Sequence, residues 1–177
     1  MFCVDEKTAI QSSTGSIRFC RFPQGAPERH GFEYFRHGTL SLYAALNIAT
    51  GAVMGKTAAR HTSADFVAFL EELVATCPPG QPIHVILDNL SAHKTGRVAE
   101  FLAAHPCVQF HYTPTYSSWL NQVELWFSKI ERDLIARGVF TSVKDLARQI
   151  RRYIRHYAKR AQPIRWQYAD LRRRHTA

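Results

Sequence analysis

The sequence predicts an α/β domain built around a central five-stranded mixed sheet with helices on both faces. Three observations predict it. Short apolar, β-branched runs alternate with segments of helical periodicity, in the order strand, hairpin, helix, strand, helix, strand, helix. One of those runs, residues 83–87 (IHVIL), is nearly continuous in its apolar character and reads as a strand buried on both faces. A chain of 177 residues that is 46% hydrophobic is also long enough and apolar enough for one substantial core.

In chain order, residues 2–4 form a short strand that Asp5 closes. Residues 8–37 carry Gly15, Pro23, Gly25, Pro27 and Gly31 and read as a long irregular insertion with room for a hairpin. Residues 40–48 (LSLYAALNI) form a strand, Ala49-Thr50-Gly51 a tight turn, and residues 52–57 the returning strand. Ser63 caps a helix in which Phe66, Phe69, Leu70, Leu73 and Val74 recur at helical spacing, and Cys77-Pro78-Pro79-Gly80 stops it. The strand 83–87 follows, then a helix over 94–104 ended by His105-Pro106, then a strand over 108–112. Pro114 breaks that strand, and Ser117 or Ser118 caps a helix reaching Arg137, with Gly138 at its C′ position. Trp119, Val123, Trp126, Ile130 and Leu134 form its core stripe, so both tryptophans are expected in the core rather than stacked on bases. Ser117, Asn121, Glu124 and Ser128 lie on a separate polar face. A last helix starts at Ser142, with Asp145 as its capping-box partner, and turns Leu146, Ile150, Tyr153, Ile154 and Tyr157 inward.

Composition excludes several classes. No apolar run approaches the roughly 18 residues a membrane helix needs. No basic segment precedes an apolar stretch at the N-terminus, so no secretion signal is expected. Cys3, Cys20, Cys77 and Cys107 are scattered without a CxxC pair, which argues against a zinc site and for reduced thiols in a cytoplasm. The net charge of +9 is unevenly spread: residues 1–136 hold 11 Lys/Arg and 12 Asp/Glu, residues 137–177 hold 12 and 2. A basic block on a near-neutral core points to nucleic acid. Its contacts are assigned to Arg148, Arg151, Arg152, Arg155 and Lys159. The domain is divided accordingly into a core, 1–137, and a basic C-terminal helix and tail, 138–177.

Asp88 ends the strand 83–87, where ligands sit in open α/β sheets. A carboxylate there is costly unless a cation joins it. Asp5 ends the first strand in the same way; its neighbour Glu6 is the alternative ligand, on the opposite face by strand alternation, and the acid that ends the apolar run is preferred. Glu124 lies on the helix after the last strand. Asp5, Asp88 and Glu124 could converge at one sheet edge, where hard oxygen ligands favour Mg²⁺ or Mn²⁺. Two such ions about 3.5–4 Å apart can activate water and stabilise the leaving oxygen of a phosphodiester. Asn89 and Asn121 are candidates to orient carboxylates or bind phosphate, and His93 to contact phosphate or move a proton. Tyr116 and Ser117 stand at the mouth of the site.

VDEKT, LDNLSAHK and TPTYSSWLNQVELWF together resemble the DDE transposases of bacterial insertion sequences in the mariner-like superfamily, and the resemblance continues through RGVFTSVKDLARQI. It implies an RNase H-like catalytic domain with Asp5, Asp88 and Glu124 as the metal-binding triad. It also implies metal-dependent cleavage of DNA at transposon ends and strand transfer to target DNA at a TA dinucleotide. A homodimer in the active complex, and a bacterial cytoplasm with nucleoid association, follow from the same resemblance. Such transposases carry helix-turn-helix modules ahead of this domain, and these 177 residues are expected to be the catalytic part alone. A nuclease of the same fold acting on another nucleic acid is one alternative. The alternative from another class is a non-catalytic remnant that binds DNA or a full-length transposase.

Overall fold

The computed structural model describes residues 1–19, 30–115 and 117–163. Five strands form one sheet in the order β3-β2-β1-β4-β5. β1 (Phe2–Phe19) and β2 (His30–Asn47) run antiparallel along nearly their whole length. β2 is also antiparallel to β3 (Val53–Ala58). β4 (Ile83–Leu87) is parallel to β1, and β5 (Val108–Tyr112) is parallel to β4.

Both faces are covered, and strand alternation decides which side chain goes where. On one face Val4, Tyr43, Ala45, Val85 and Leu87 meet Phe66, Phe69, Leu70 and Leu73 of α1 (Ser63–Ala75) and Val98 and Phe101 of α2 (Gly96–Ala104). On the other, Cys3, Leu42, Ala44 and Leu46 meet Val123, Trp126 and Ile130 of α3 (Val123–Ile130). Leu146, Ile150 and Ile154 of α4 (Val143–Ala158) complete that second core.

Several local expectations are corrected. β1 does not stop at Asp5. It continues to Phe19 against β2, so much of the expected insertion is the two arms of a long hairpin, and residues 20–29 lie outside the described part. Ladder irregularities at Lys7/Ile10 and Ser12/Ser13, with Ala9 at φ 54°, bend that arm. β4 is buried on one face only: Ile83, Val85 and Leu87 are in the core, while His84 and Ile86 are half-buried. The reason is that α3 packs on β1 and β2, and α4 chiefly on β2 and β3. The cap of α1 is Thr62, whose hydroxyl accepts from the Asp65 N–H in a complete capping box; Ser63 is the first helical residue.

The helix expected from residue 117 is broken into pieces. A 3-10 turn (Ser118–Leu120) precedes α3, and a π-helical turn (Glu131–Ile135) follows it. The change of pitch breaks the helical phase. Trp119 is therefore 60% exposed instead of lying in the core stripe, whereas Trp126 is buried as expected. Gly138 is not a left-handed cap. A Cβ there would lie 2.1 Å from the Phe140 ring and 2.7 Å from the Leu134 carbonyl oxygen, so close packing is what demands glycine.

Candidate active site

β1 and β4 pair only at Phe2↔Val85 and Cys3↔Ile86. Continuing that parallel register by two residues sets Asp5 beside Asp88, one on a strand that runs on and the other just past a strand that ends. α3 packs across β1 on the Asp5 side and brings Asn121 and Glu124 with it. Asn121, on the polar face set apart from the core stripe, is fully buried against β1. Its side-chain amide donates to the Val4 carbonyl at 2.9 Å and to Asp5 Oδ2 at 3.4 Å, and its backbone carbonyl accepts the Glu124 N–H at 3.1 Å.

Asp5 is 6% exposed. Its Oδ1 accepts the Glu6 N–H at 2.8 Å. Burial pushes its carboxyl up to about 8 against the favourable Glu6 N–H, and the charges of Asp88, Glu6 and Glu124 push in the same direction as burial. Asp5 thus stands within electrostatic reach of Asp88 and Glu124, the other two acids singled out from the sequence, and of Glu6. Among the described residues no Lys, Arg or His is paired with Asp5 or Glu124.

His93 is 1% exposed in a 3-10 turn (Ser91–Lys94). Its Nδ1 lies 2.9 Å from Asp88 Oδ1 and its Nε2 3.1 Å from Glu6 Oε2. Burial works against the imidazolium, but the Glu6 hydrogen bond and the charges of Glu6 and Asp88 outweigh it and raise the His93 value. With both nitrogens taken and the ring buried, His93 faces carboxylates rather than an incoming phosphate. Glu6 is the less favoured of the two neighbouring acids in the sequence. Its only sequence signal is an acid next to Asp5, and its partner lies 87 residues away.

Among the described residues no carboxylate is bonded to the Asn89 side chain. Its amide donates to Thr115 Oγ1 at 3.2 Å and its carbonyl accepts from Lys94 Nζ, tying together the loops after β4 and β5. Between these loops Asp88, Leu90, Thr113, Pro114 and Ser117 line a pocket of about 190 Å³; Tyr116 lies outside the described residues. Arg148, Arg151, Arg152, Arg155 and Lys159 are all exposed along α4, and Arg148 pairs with Asp145 at 2.6 Å. Arg148, Arg152, Arg155 and His156 line an open groove of about 800 Å³ with Leu134 and Tyr153.

Among the described residues no three His, Cys, Asp or Glu side chains stand close enough to grip a metal ion as a finished cage. The donor set nevertheless fits a hard divalent cation. Asp5 is a buried, repelled carboxylate, and the buried Asn121 Oδ1 beside it has no partner among the described residues. A cation would relieve both the desolvation and the repulsion.

Residues 1–147 match the sequence family described as DDE superfamily endonuclease. A protein of the insertion element IS630 from Shigella sonnei, described as an uncharacterized 39 kDa protein, is 28% identical over 113 residues. That alignment covers 64% of this chain and 33% of the relative, so the chain spans about a third of the curated protein it matches. Among solved structures, the catalytic domain of Mos1 mariner transposase superposes with a TM-score of 0.57 at 13% identity, over 81% of this chain and 69% of that one. Mos1 transposase in a paired-end complex with the left transposon end gives 0.65 at 15% identity, over 87% and 47%. The fold is the RNase H-like fold of transposase catalytic domains.

Proposed function

The chain belongs to the DDE superfamily of endonucleases, and on that premise we propose that it is a transposase catalytic domain that cleaves DNA strands at transposon ends and joins them to target DNA. The carrying observation is a buried Asp5 within electrostatic reach of both Asp88 and Glu124 at the carboxyl end of the parallel β1–β4 pair. Asp5 and Asp88 are the ligands of Mg²⁺ or Mn²⁺, and Glu124 is the third ligand from α3. Two such ions, when bound, would supply the positive charge that activates a water or a 3′-hydroxyl and stabilises the leaving oxygen. Asn121 holds Asp5 in place through its amide, and the buried β1 strand beneath excludes water from that side.

The exposed cations of α4, with the C-terminal segment that follows, bind the phosphate backbone, which makes the affinity salt-dependent. The tail with Arg172, Arg173 and Arg174 lies outside the described residues. Two copies act together in the active complex, because two ends must be joined, and the setting is DNA in a bacterial cytoplasm. No described helix is long and apolar enough to cross a membrane.

A second reading, a DNA-binding remnant without catalysis, is favoured by the absence of a finished metal cage among the described residues. Nicking of supercoiled plasmid in Mg²⁺ or Mn²⁺ decides between them. The catalytic reading expects nicking by the chain and none by Asp88→Asn. Equal inertness of both that persists after fusion to an end-binding helix-turn-helix module, with DNA binding retained, decides for the remnant.

A further inference from the structure

Asp88 is the first residue past β4, where no strand partner fixes its side chain. Its Oδ1 lies 2.9 Å from His93 Nδ1, which also stands 3.4 Å from the Asp88 backbone carbonyl oxygen, and accepts the Leu90 N–H at 3.4 Å. Among the described residues no donor reaches its Oδ2. The His93 ring is itself clamped. Phe66 of α1 lies against it at 4.6 Å between centroids, and the Tyr112 hydroxyl donates to the His93 carbonyl at 3.0 Å. Its far nitrogen meets Glu6, which strand alternation sends to the α1 face while Asp5 goes to the α3 face. β1 therefore supplies an acid to each face of the sheet, and the two faces rejoin at Asp88.

We propose that Glu6 and His93 form a positioning pair that holds the Asp88 carboxylate beside Asp5 with Oδ2 turned free for a divalent cation. The proposal rests on reading Asp88 as a metal ligand. A loop aspartate can choose among rotamers, and ordering it must be repaid on every binding event. A rigid ring tied to a strand carboxylate meets that cost once, during folding. Neither Glu6 nor His93 touches the substrate in this arrangement; both act through Asp88.

The test uses the whole chain, Mn²⁺ as the probe and two isosteric halves of the imidazole. His93→Asn retains an amide near the Nδ1 position and so keeps a donor for Asp88. His93→Gln reaches the Nε2 position and so keeps Glu6 while releasing Asp88. Free Mn²⁺ is followed by electron paramagnetic resonance, and the Mn²⁺ concentration for half-maximal plasmid nicking is measured alongside. Loss of an orienting partner costs about 10- to 100-fold in metal affinity. His93→Gln should therefore raise both midpoints about tenfold or more and leave the rate at saturating Mn²⁺ near wild type. His93→Asn should stay within about threefold of wild type, and Glu6→Ala should fall with His93→Gln. Melting curves establish that each variant folds. If His93→Gln fails to fold, Glu6→Ala against Glu6→Gln, which keeps an acceptor for Nε2, gives the same contrast. Equal Mn²⁺ midpoints for the members of a folded pair, or a lost maximal rate at an unchanged midpoint, would overturn the proposal. An Asp88→Asn chain that binds Mn²⁺ like wild type would overturn the parent reading as well, and it is read separately from the histidine pair.

Discussion

Replacing Asp5 with Asn should stabilise the metal-free protein, and more so as pH rises. The Asp5 carboxyl ionises at about 8 in the folded chain against an ordinary 3.8, with burial the leading cause. Here the unfolded state gives up its proton first, so stability is lost as pH climbs between those two values, the reverse of a salt-bridged aspartate. Each pH unit inside that window is worth about 1.4 kcal/mol. Between pH 5 and pH 7.5 the wild type should therefore lose about 3 kcal/mol that Asp5→Asn does not lose. For a domain of this size that is about 6–12 °C in Tm, measured as the difference between two pH series. The raised His93 value has the same sign: its contribution is full below the ordinary histidine pKa and fades as pH rises through the folded one. The comparison with Asp5→Asn removes it, because both proteins keep His93. Added Mn²⁺ should restore the wild type at pH 7.5 and leave Asp5→Asn unmoved. Parallel melting curves for the two proteins across that range would refute the claim that Asp5 is buried against repelling carboxylates.

Other consequences are independent of the acids. Changing Arg148, Arg152 and Arg155 together to Gln should reduce the slope of log affinity against log salt for duplex DNA by about 2 to 3, at about 0.9 per phosphate contact, in a fluorescence anisotropy titration. Their exposure means that Tm should hardly change. Gly138→Ala should cost about 1–3 kcal/mol by thermal melting, because the added methyl collides with the buried Phe140 ring. Thr62→Ala should cost about 1 kcal/mol in the same assay through loss of the α1 capping box.

What was legible in the sequence was local or periodic. The apolar run before Asp88, the Phe66–Leu73 spacing and the amphipathic α4 each declare an element within one window, and all three elements are present. The continuation of β1 was hidden because residues 11–16 are polar or glycine. It is held by pairing to β2 and by long-range bonds, such as Phe140 N–H to the Ser13 carbonyl, that no window contains. Trp119 was misplaced because a constant 3.6-residue phase was carried back through a segment that turns with a different pitch. Asn121 and His93 could be singled out as residue types. Their partners, Val4, Asp5 and Glu6, are more than 80 residues away, and only the folded sheet brings them together. Strand alternation put Asp5 and Glu6 on opposite faces; in the structure Asn121 contacts Asp5 and His93 contacts Glu6.

The most direct test of the central claim is anomalous diffraction from crystals of the chain soaked in Mn²⁺, with Asp88→Asn crystals treated identically. The expected result is an anomalous peak at the Asp5 and Asp88 carboxylates on the Glu124 side, and loss of that peak in Asp88→Asn. Mn²⁺ bound only elsewhere on the surface, with the Asp5–Asp88 edge empty in both crystals at saturating Mn²⁺, would contradict it.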